Sequence, residues 1–248
     1  MPHDPSSAAR PRRAAFFRCF LASLLLVLVA AGASVYLNAV DGQLLETALL
    51  ENVDYATLGM DAASVSSFAD ETILFLTDAQ DSWEPSITVA GFPASRFIPQ
   101  DFRDHMVTVK GWVSAATSVF LCGAAAVIVL LAWALAGAGR RGGFSSRGYY
   151  VGTIVPLLLI AGVGLWASLD FGGMWEVLHR TLIPDGIFPA DELVMRLFPE
   201  TLFSAYLPPV LLMLVLMLAA VLVLPLILSP VSARIAQSRA QSAGGANR

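Results

Sequence analysis

The chain has 248 residues, a mean hydropathy of +0.69, only 14% charged residues and a formal net charge of −4. That composition excludes an ordinary water-soluble domain, in which charged residues make up about a quarter of the chain. The balance of charge offers no basic field for a nucleic-acid partner, and the uncharged apolar runs described next are those of an integral membrane protein.

Residues 1–18 read as a basic tail carrying Arg10, Arg12, Arg13 and Arg18, with His3 in a polar stretch that needs no role. Residues 19–37 form the first uncharged apolar run, long enough at 1.5 Å per residue to cross a hydrocarbon core of roughly 30 Å. A cleavable signal peptide with Ala31-Gly32-Ala33 as its cleavage site is the competing reading, but the run is overlong for one.

Residues 38–104 form a long polar segment between the first and second spans. At this length it lies near the lower limit for an independent core, so it is expected to pack on the membrane bundle. Within it, Asp61 suits the N-cap of a helix whose Val65, Phe68, Phe75 and Leu76 share a face, with Ala69 and Thr72 between them. The stretch from Trp83 to Pro99 is rich in Pro, Ser, Val and Ile, the composition of turns with short strands.

Residues 105–139 read as an interfacial helix start followed by the second span, and 140–147 as a tight basic loop. That loop is glycine-rich but lacks the lysine of a phosphate-binding loop. Residues 148–169 form the third span, 170–206 a second polar segment, 207–229 the fourth span and 230–248 a polar tail. Pro156 and Pro225 fall inside the last two spans, where kinks are common and imply no site. The expected fold is an all-α membrane protein: a four-helix transmembrane bundle with a small extracytoplasmic domain, of helix and short strands, between spans one and two.

Arginines 10, 12, 13, 18, 140, 141, 147, 234, 239 and 248 all fall on one side of this arrangement, which the positive-inside rule makes cytoplasmic. The other side carries every carboxylate except Asp4. Both termini are therefore expected inside the cell, in a multi-pass membrane protein with an acidic outer surface. Cys19 and Cys122 fall within apolar runs, so neither a disulfide framework nor an outward thiol nucleophile is expected.

Two of the three histidines converge on the outer boundary. His105 precedes span two, and His179 follows span three by ten residues. Imidazole is the side chain best suited to proton transfer near neutral pH, although a single interfacial histidine is ordinarily only a solvated boundary residue. Helical phase puts His105, Val109 and Trp112 on one face and Lys110 with Arg103 and Met106 on another, so Lys110 and His105 are not a local pair. Lys110 either snorkels to the headgroups or faces inward toward a carboxylate or substrate. In Asp170-Phe171-Gly172-Gly173-Met174-Trp175-Glu176-Val177-Leu178-His179-Arg180, the residues Phe171, Trp175 and His179 stack at i, i+4 and i+8. The lone Glu176-x-x-His179 spacing is weak support for a metal, and none is expected. No nucleophile elbow is present, Ser168 and Ser204 lack any recognisable frame, and the spans hold no acidic residue for a coupled ion path.

These segments resemble a known family. His105-Met106-Val107-Thr108-Val109-Lys110 is similar to the H-M-x-D-V-K/R signature of the bacterial lipoprotein intramolecular transacylase (Lit) family of integral membrane proteins. The stretch from Asp170 to His179 resembles its D-F-x-x-x-aromatic-x-x-apolar-His element, and Phe188 to Glu200 its P-x-D-x-L-I-x-x-x-P-E stretch. The resemblance runs from about Ile98 to Phe203; beyond it only the architecture agrees. It departs from the family at Thr108, where the pattern has aspartate, and in a shorter segment between His179 and Pro189.

The resemblance implies an acyltransferase that moves the sn-2 acyl chain of a diacylglyceryl-cysteine lipoprotein to the cysteine's own α-amine, giving the lyso form. It implies no cofactor, a bacterial lipoprotein N-terminus and membrane phospholipid as partners, and a site at the outer leaflet. His105 and His179 would be catalytic, one as general base and the other as polariser or proton donor, with His105 the first choice for base. Lys110, Asp191, Glu200, Trp175 and Arg180 would support the site or bind substrate. Two other classes fit the same residues: a non-enzymatic lipid- or lipoprotein-binding module, and an outward-facing hydrolase with water as nucleophile. Joint action on one ester requires the two imidazoles to lie within about 12 Å of each other.

Overall fold

The computed structural model describes residues 5–136, 143–183, 188–189 and 191–245. His3, the end of the expected second span (137–139) and the start of the expected basic loop (140–142) lie outside the described residues. In chain order the helices are α1 (Pro5–Ala39), α2 (Gly42–Asn52), α3 (Ala62–Leu76), α4 (Gln100–Ala136), α5 (Ser146–Leu169), α6 (Phe171–Leu182), α7 (Leu193–Leu197), α8 (Glu200–Ser204) and α9 (Leu207–Gly245). A two-stranded antiparallel hairpin, β1 (Thr88–Val89) with β2 (Phe92–Pro93), lies between α3 and α4.

Four helices among the described residues are long and apolar enough to cross a membrane, within Arg12–Ala39, Gln100–Ala136, Ser146–Leu169 and Leu207–Ala243. The chain is thus the four-span, nearly all-helical membrane protein expected. α1 runs unbroken through Ala31-Gly32-Ala33. α4 begins before its apolar run: the charges Asp101, Arg103, Asp104 and Lys110 occupy its first turns, and the uncharged stretch starts at Gly111. Contacts divide the chain into two units: residues 1–33, 119–162 and 213–248 form the first, and 34–118 and 163–212 the second.

The second unit is built like a soluble domain. Asp41 caps α2 by accepting from the amides of Gln43 and Leu44 at 3.0 and 3.1 Å, and Asp61 caps α3 by accepting from Ser64 N at 2.8 Å. Each satisfies amides that the first helical turn leaves unpaired. The expected stripe of α3 is buried: Val65, Phe68, Ala69, Thr72 and Phe75. They join Leu45 and Leu49 of α2, Trp83, Ile87 and Val89 of the hairpin region, and Phe102 and Met106 of α4. Val194, Leu197 and Leu202 of α7 and α8 complete the same core. The two polar segments, distant in sequence, therefore bury one apolar interior together, which supplies the size that residues 38–104 lack alone.

Two backbone positions show how this unit is tied. Ala90 and Gly91 turn the hairpin with φ of 51° and 79°, the left-handed pair that a tight two-residue hairpin requires. Alanine is held there by its amide, which donates to Leu58 O at 2.8 Å. α3 ends with Asp78 at φ 67°, a position glycine usually takes. Its carboxylate instead meets Lys110 Nζ at 2.7 Å.

The first unit uses other means. A Cβ on Gly148 would collide with the Phe16 carbonyl oxygen, and one on Gly152 with the Phe20 carbonyl oxygen and Ser23 Oγ. The Gly-x-x-x-Gly spacing thus brings the α5 backbone against α1, the close approach that small residues permit where lipid removes the hydrophobic drive for association. Buried hydroxyls add cross-links: Tyr149 Oη donates to Val221 O at 2.8 Å, Ser146 and Ser229 share a bond of 2.9 Å, and Ser232 Oγ accepts from Phe144 N at 3.1 Å. Cys19 is fully buried, and its sulfur accepts from Ser145 N at 3.2 Å.

Candidate active site

Two helices of the second unit carry the histidines. In the first turns of α4, Phe102 and Met106 are drawn into the core. Arg103 and Lys110, on one stripe with Met106, are engaged by the segment after α3: Arg103 pairs with Glu84 at 3.2 Å and donates to Ser95 O at 2.9 Å. This grip fixes the rotation of α4 and so the direction in which His105 leaves it. α6 starts at Asp170, whose Oδ1 accepts from Gly173 N at 2.9 Å. From that cap, Phe171, Trp175 and His179 run along one face as expected. The Phe171 and Trp175 rings stack at 5.7 Å, and Trp175 and His179 lie 4.5 Å apart.

The imidazoles of His105 and His179 are 6.4 Å apart between ring centroids and nearly parallel, at 24°. Each has aromatic walls. His105 lies 5.5 Å from Phe102 and 5.4 Å from Phe188, and Trp175, against His179, is backed by Phe203 at 4.4 Å. Burial, reinforced by the charge of the neighbouring His179, pushes the pKa of His105 below its ordinary value. Its Nδ1 is buried and has no hydrogen-bond partner among the described residues.

His179 is held differently. Its Nδ1 lies 3.1 Å from Trp175 O, and because a carbonyl can only accept, Nδ1 carries the proton. In the neutral ring that leaves Nε2 with its lone pair free. The site thus combines one imidazole with a fixed tautomer, a second whose charged form burial disfavours, and aromatic rings packed against both. That arrangement suits proton transfer and stabilisation of an anionic oxygen.

The other expected residues divide. Trp175 belongs to the wall. Glu200, at the start of α8, brings its carboxylate to α6, within 2.8 Å of where a Cβ on Gly172 would lie. Lys110 is turned toward the end of α3, where it bonds Asp78 and Gln80 O (2.9 Å) and sits 4.7 Å from the centre of the Phe75 ring. Arg180 forms an ion pair with Glu176 at 2.6 Å, both side chains more than half exposed, so the Glu176 carboxylate of the E-x-x-H spacing is engaged away from His179. Asp191 is exposed at the approach to α7. Thr108 is also exposed and donates its hydroxyl to Asp104 O at 3.2 Å. Among the described residues no cluster of three His, Cys, Asp or Glu could hold a metal ion.

Phe102, Phe188 and Phe203 are site residues that sequence reasoning missed. Phe102 stands one helical turn before His105, a spacing that could have flagged it. Phe188 and Phe203 come from loop and short-helix segments with no periodicity to read.

No family model matches the sequence, and no curated protein matches it closely enough to count as a relative. Among solved structures, the chain is similar to the membrane integral lipoprotein intramolecular transacylase Lit from Bacillus cereus, solved in meso. The likeness has a TM-score of 0.67 at 14% sequence identity and covers 88% of this chain and 95% of that one. At that identity the likeness is one of fold: this chain has the fold of the lipoprotein intramolecular transacylase, the fold expected from its three short motifs.

Proposed function

We propose that the protein is a membrane acyltransferase that relocates the sn-2 acyl chain of a diacylglyceryl-cysteine lipoprotein onto its own α-amine at the outer leaflet. The observation that carries this reading is the pair of imidazoles 6.4 Å apart, one of them with its Nδ1 proton fixed on a carbonyl. The fold shared with a transacylase and the three motifs support the choice of acyl transfer.

The reaction needs no nucleophile from the protein. The substrate's amine nitrogen attacks the ester carbonyl carbon within the same molecule, so a C–N bond forms and the ester C–O bond breaks. The nitrogen loses a proton and the departing glycerol oxygen gains one. Amine and ester already share one molecule, so what the site contributes is to hold them in near-attack geometry. The hydrogen bond from His179 Nδ1 to Trp175 O favours His179 Nε2 as the base that takes the amine proton. His105, neutral through burial, donates an N–H hydrogen bond to the oxyanion, and the imidazolium formed on His179 returns its Nε2 proton to the departing glycerol oxygen. The rings beside the imidazoles make the site's walls apolar, which favours the substrate's own amine over water as the nucleophile. Lys110 acts through Asp78 and Gln80 as an anchor of α4, and Glu200 brings a second carboxylate, besides that of Asp170, to the start of α6.

The test is expression in a bacterium that makes diacylated lipoproteins, with the N-terminal lipopeptide read by tandem mass spectrometry. The expected product keeps its total mass and carries an amide-linked chain. His105→Ala and His179→Ala are each expected to lower conversion by about 100-fold or more. Loss of one acyl chain's mass would mean a hydrolase, and an unchanged lipopeptide a binding module; either result, or full conversion by both variants, overturns the proposal.

A further inference from the structure

The first unit holds an unused feature: a crevice of about 410 Å³ lined by Arg12, Arg13, Phe16 and Phe17 of α1 and by Ser145 and Arg147 at the start of α5. We infer that it binds an anionic phospholipid of the leaflet at this end of the unit, with the lipid phosphate among Arg12, Arg13 and Arg147 and an acyl chain along Phe16 and Phe17.

Three observations support this. The arginines lack a carboxylate: Asp4 is the single Asp or Glu in the sequence of this unit, and none of the three arginines forms an ion pair among the described residues. A cluster of like charge at a membrane boundary draws its counterion from the bilayer, and basic pockets between membrane helices suit anionic headgroups. Polarity also changes along the crevice as it does along a lipid. Phe16 and Phe17 follow Arg12 and Arg13 by four residues, so each ring lies one helical turn, about 5.4 Å, further along the face beneath its arginine. Phe17 is 65% exposed, offering apolar surface where a chain would run.

The crevice is also built rather than incidental. Gly148 brings the α5 backbone against the Phe16 carbonyl, which holds Arg147 next to the α1 pair. Ser145 Oγ accepts from Gly148 N at 3.2 Å, leaving its hydroxyl hydrogen without an acceptor among the described residues and available to a phosphate oxygen. The assignment is independent of the acyl-transfer reaction, because none of these residues belongs to the second unit.

The test weighs lipid complexes of the full-length protein by native mass spectrometry, with phosphatidylglycerol and phosphatidylcholine of the same chains titrated separately. The protein is expected to bind phosphatidylglycerol about tenfold or more tightly, and R12Q/R13Q/R147Q to weaken that binding on the order of a hundredfold, the product of three arginines near an anionic headgroup. Arg10, Arg18, Arg234 and Arg239 remain in that variant to hold topology, and Arg234→Gln alone is expected to change nothing. Phe17→Ala, at an exposed position that folding tolerates, should weaken binding of both lipids several-fold while keeping the preference. Equal affinity for the two lipids, full retention of phosphatidylglycerol by the triple variant, or no effect of Phe17→Ala overturns the assignment. Displacement of the lipid by millimolar inorganic phosphate also overturns it, in favour of a simple anion site.

Discussion

The two units solve the folding problem in different solvents. The second buries large apolar side chains, caps its helices with aspartates and holds all three ion pairs found among the described residues. The first has almost no carboxylate, presents many of its large apolar side chains outward, and is joined by glycine contacts and buried hydroxyls. Where water is the alternative, burying rings and methyls is favourable in itself. Where lipid is the alternative it is not, and association depends on how closely backbones approach and whether polar groups find partners. The proposed chemistry belongs to the water-type unit, which can hold two imidazoles among rings.

The comparison can be broken most sharply in its cores. Phe68→Ala, at a fully buried position of the second unit, should cost about 3–5 kcal/mol as a large cavity opens. Gly152→Val adds atoms to the first unit instead of removing them. It should cost about 3 kcal/mol by forcing α5 off the Phe20 carbonyl. Thermal unfolding in detergent measures both; a harmless Gly152→Val would mean that close backbone contact does not hold that unit together.

A smaller effect is expected where α4 is gripped. Lys110→Met should cost about 1–2 kcal/mol, from the lost carbonyl bond and ring contact. Asp78→Asn should cost about 0.5 kcal/mol or less, because that carboxylate is 71% exposed and its charge is screened. An effect of Asp78→Asn equal to that of Lys110→Met would show that the ion pair dominates the anchor.

The lowered pKa of His105 makes the second unit sensitive to acid. The unfolded chain, with an imidazole near its ordinary value of about 6.5, binds a proton more readily than the folded one. Stability is therefore full above that value and falls as pH drops from it toward the folded pKa. His105→Gln should flatten this part of the melting-temperature profile between pH 7 and 5; an unchanged slope would assign the acid sensitivity elsewhere. The smallest effect is expected at the hairpin: Ala90→Gly relieves a left-handed alanine and should add about 0.5 kcal/mol.

Helical phase carried much of the site. The i, i+4, i+8 spacing of Phe171, Trp175 and His179 put three rings on one face of α6, and the same arithmetic separated Lys110 from His105, because such spacings are local properties of a helix. The distance between His105 and His179 was not legible, since they leave different helices and their rotation is fixed by contacts such as Arg103 with Glu84 and Lys110 with Asp78. The exposed pairing of Arg180 with Glu176 is an i, i+4 contact that the same arithmetic makes readable.

By itself the sequence determined the solvent of each segment. Uncharged runs of sufficient length have no stable place but a bilayer, and three short motifs were enough to suggest the fold later matched by a transacylase structure. Tertiary structure alone decided that residues 38–104 and 193–206 share one core and that Phe102, Phe188 and Phe203 wall the histidines. It also put the proton of His179 on Nδ1, by bringing that nitrogen to the Trp175 carbonyl. The reason is physical: membrane insertion sums over the residues of one run, whereas a site depends on the directions of side chains that only long-range packing can orient.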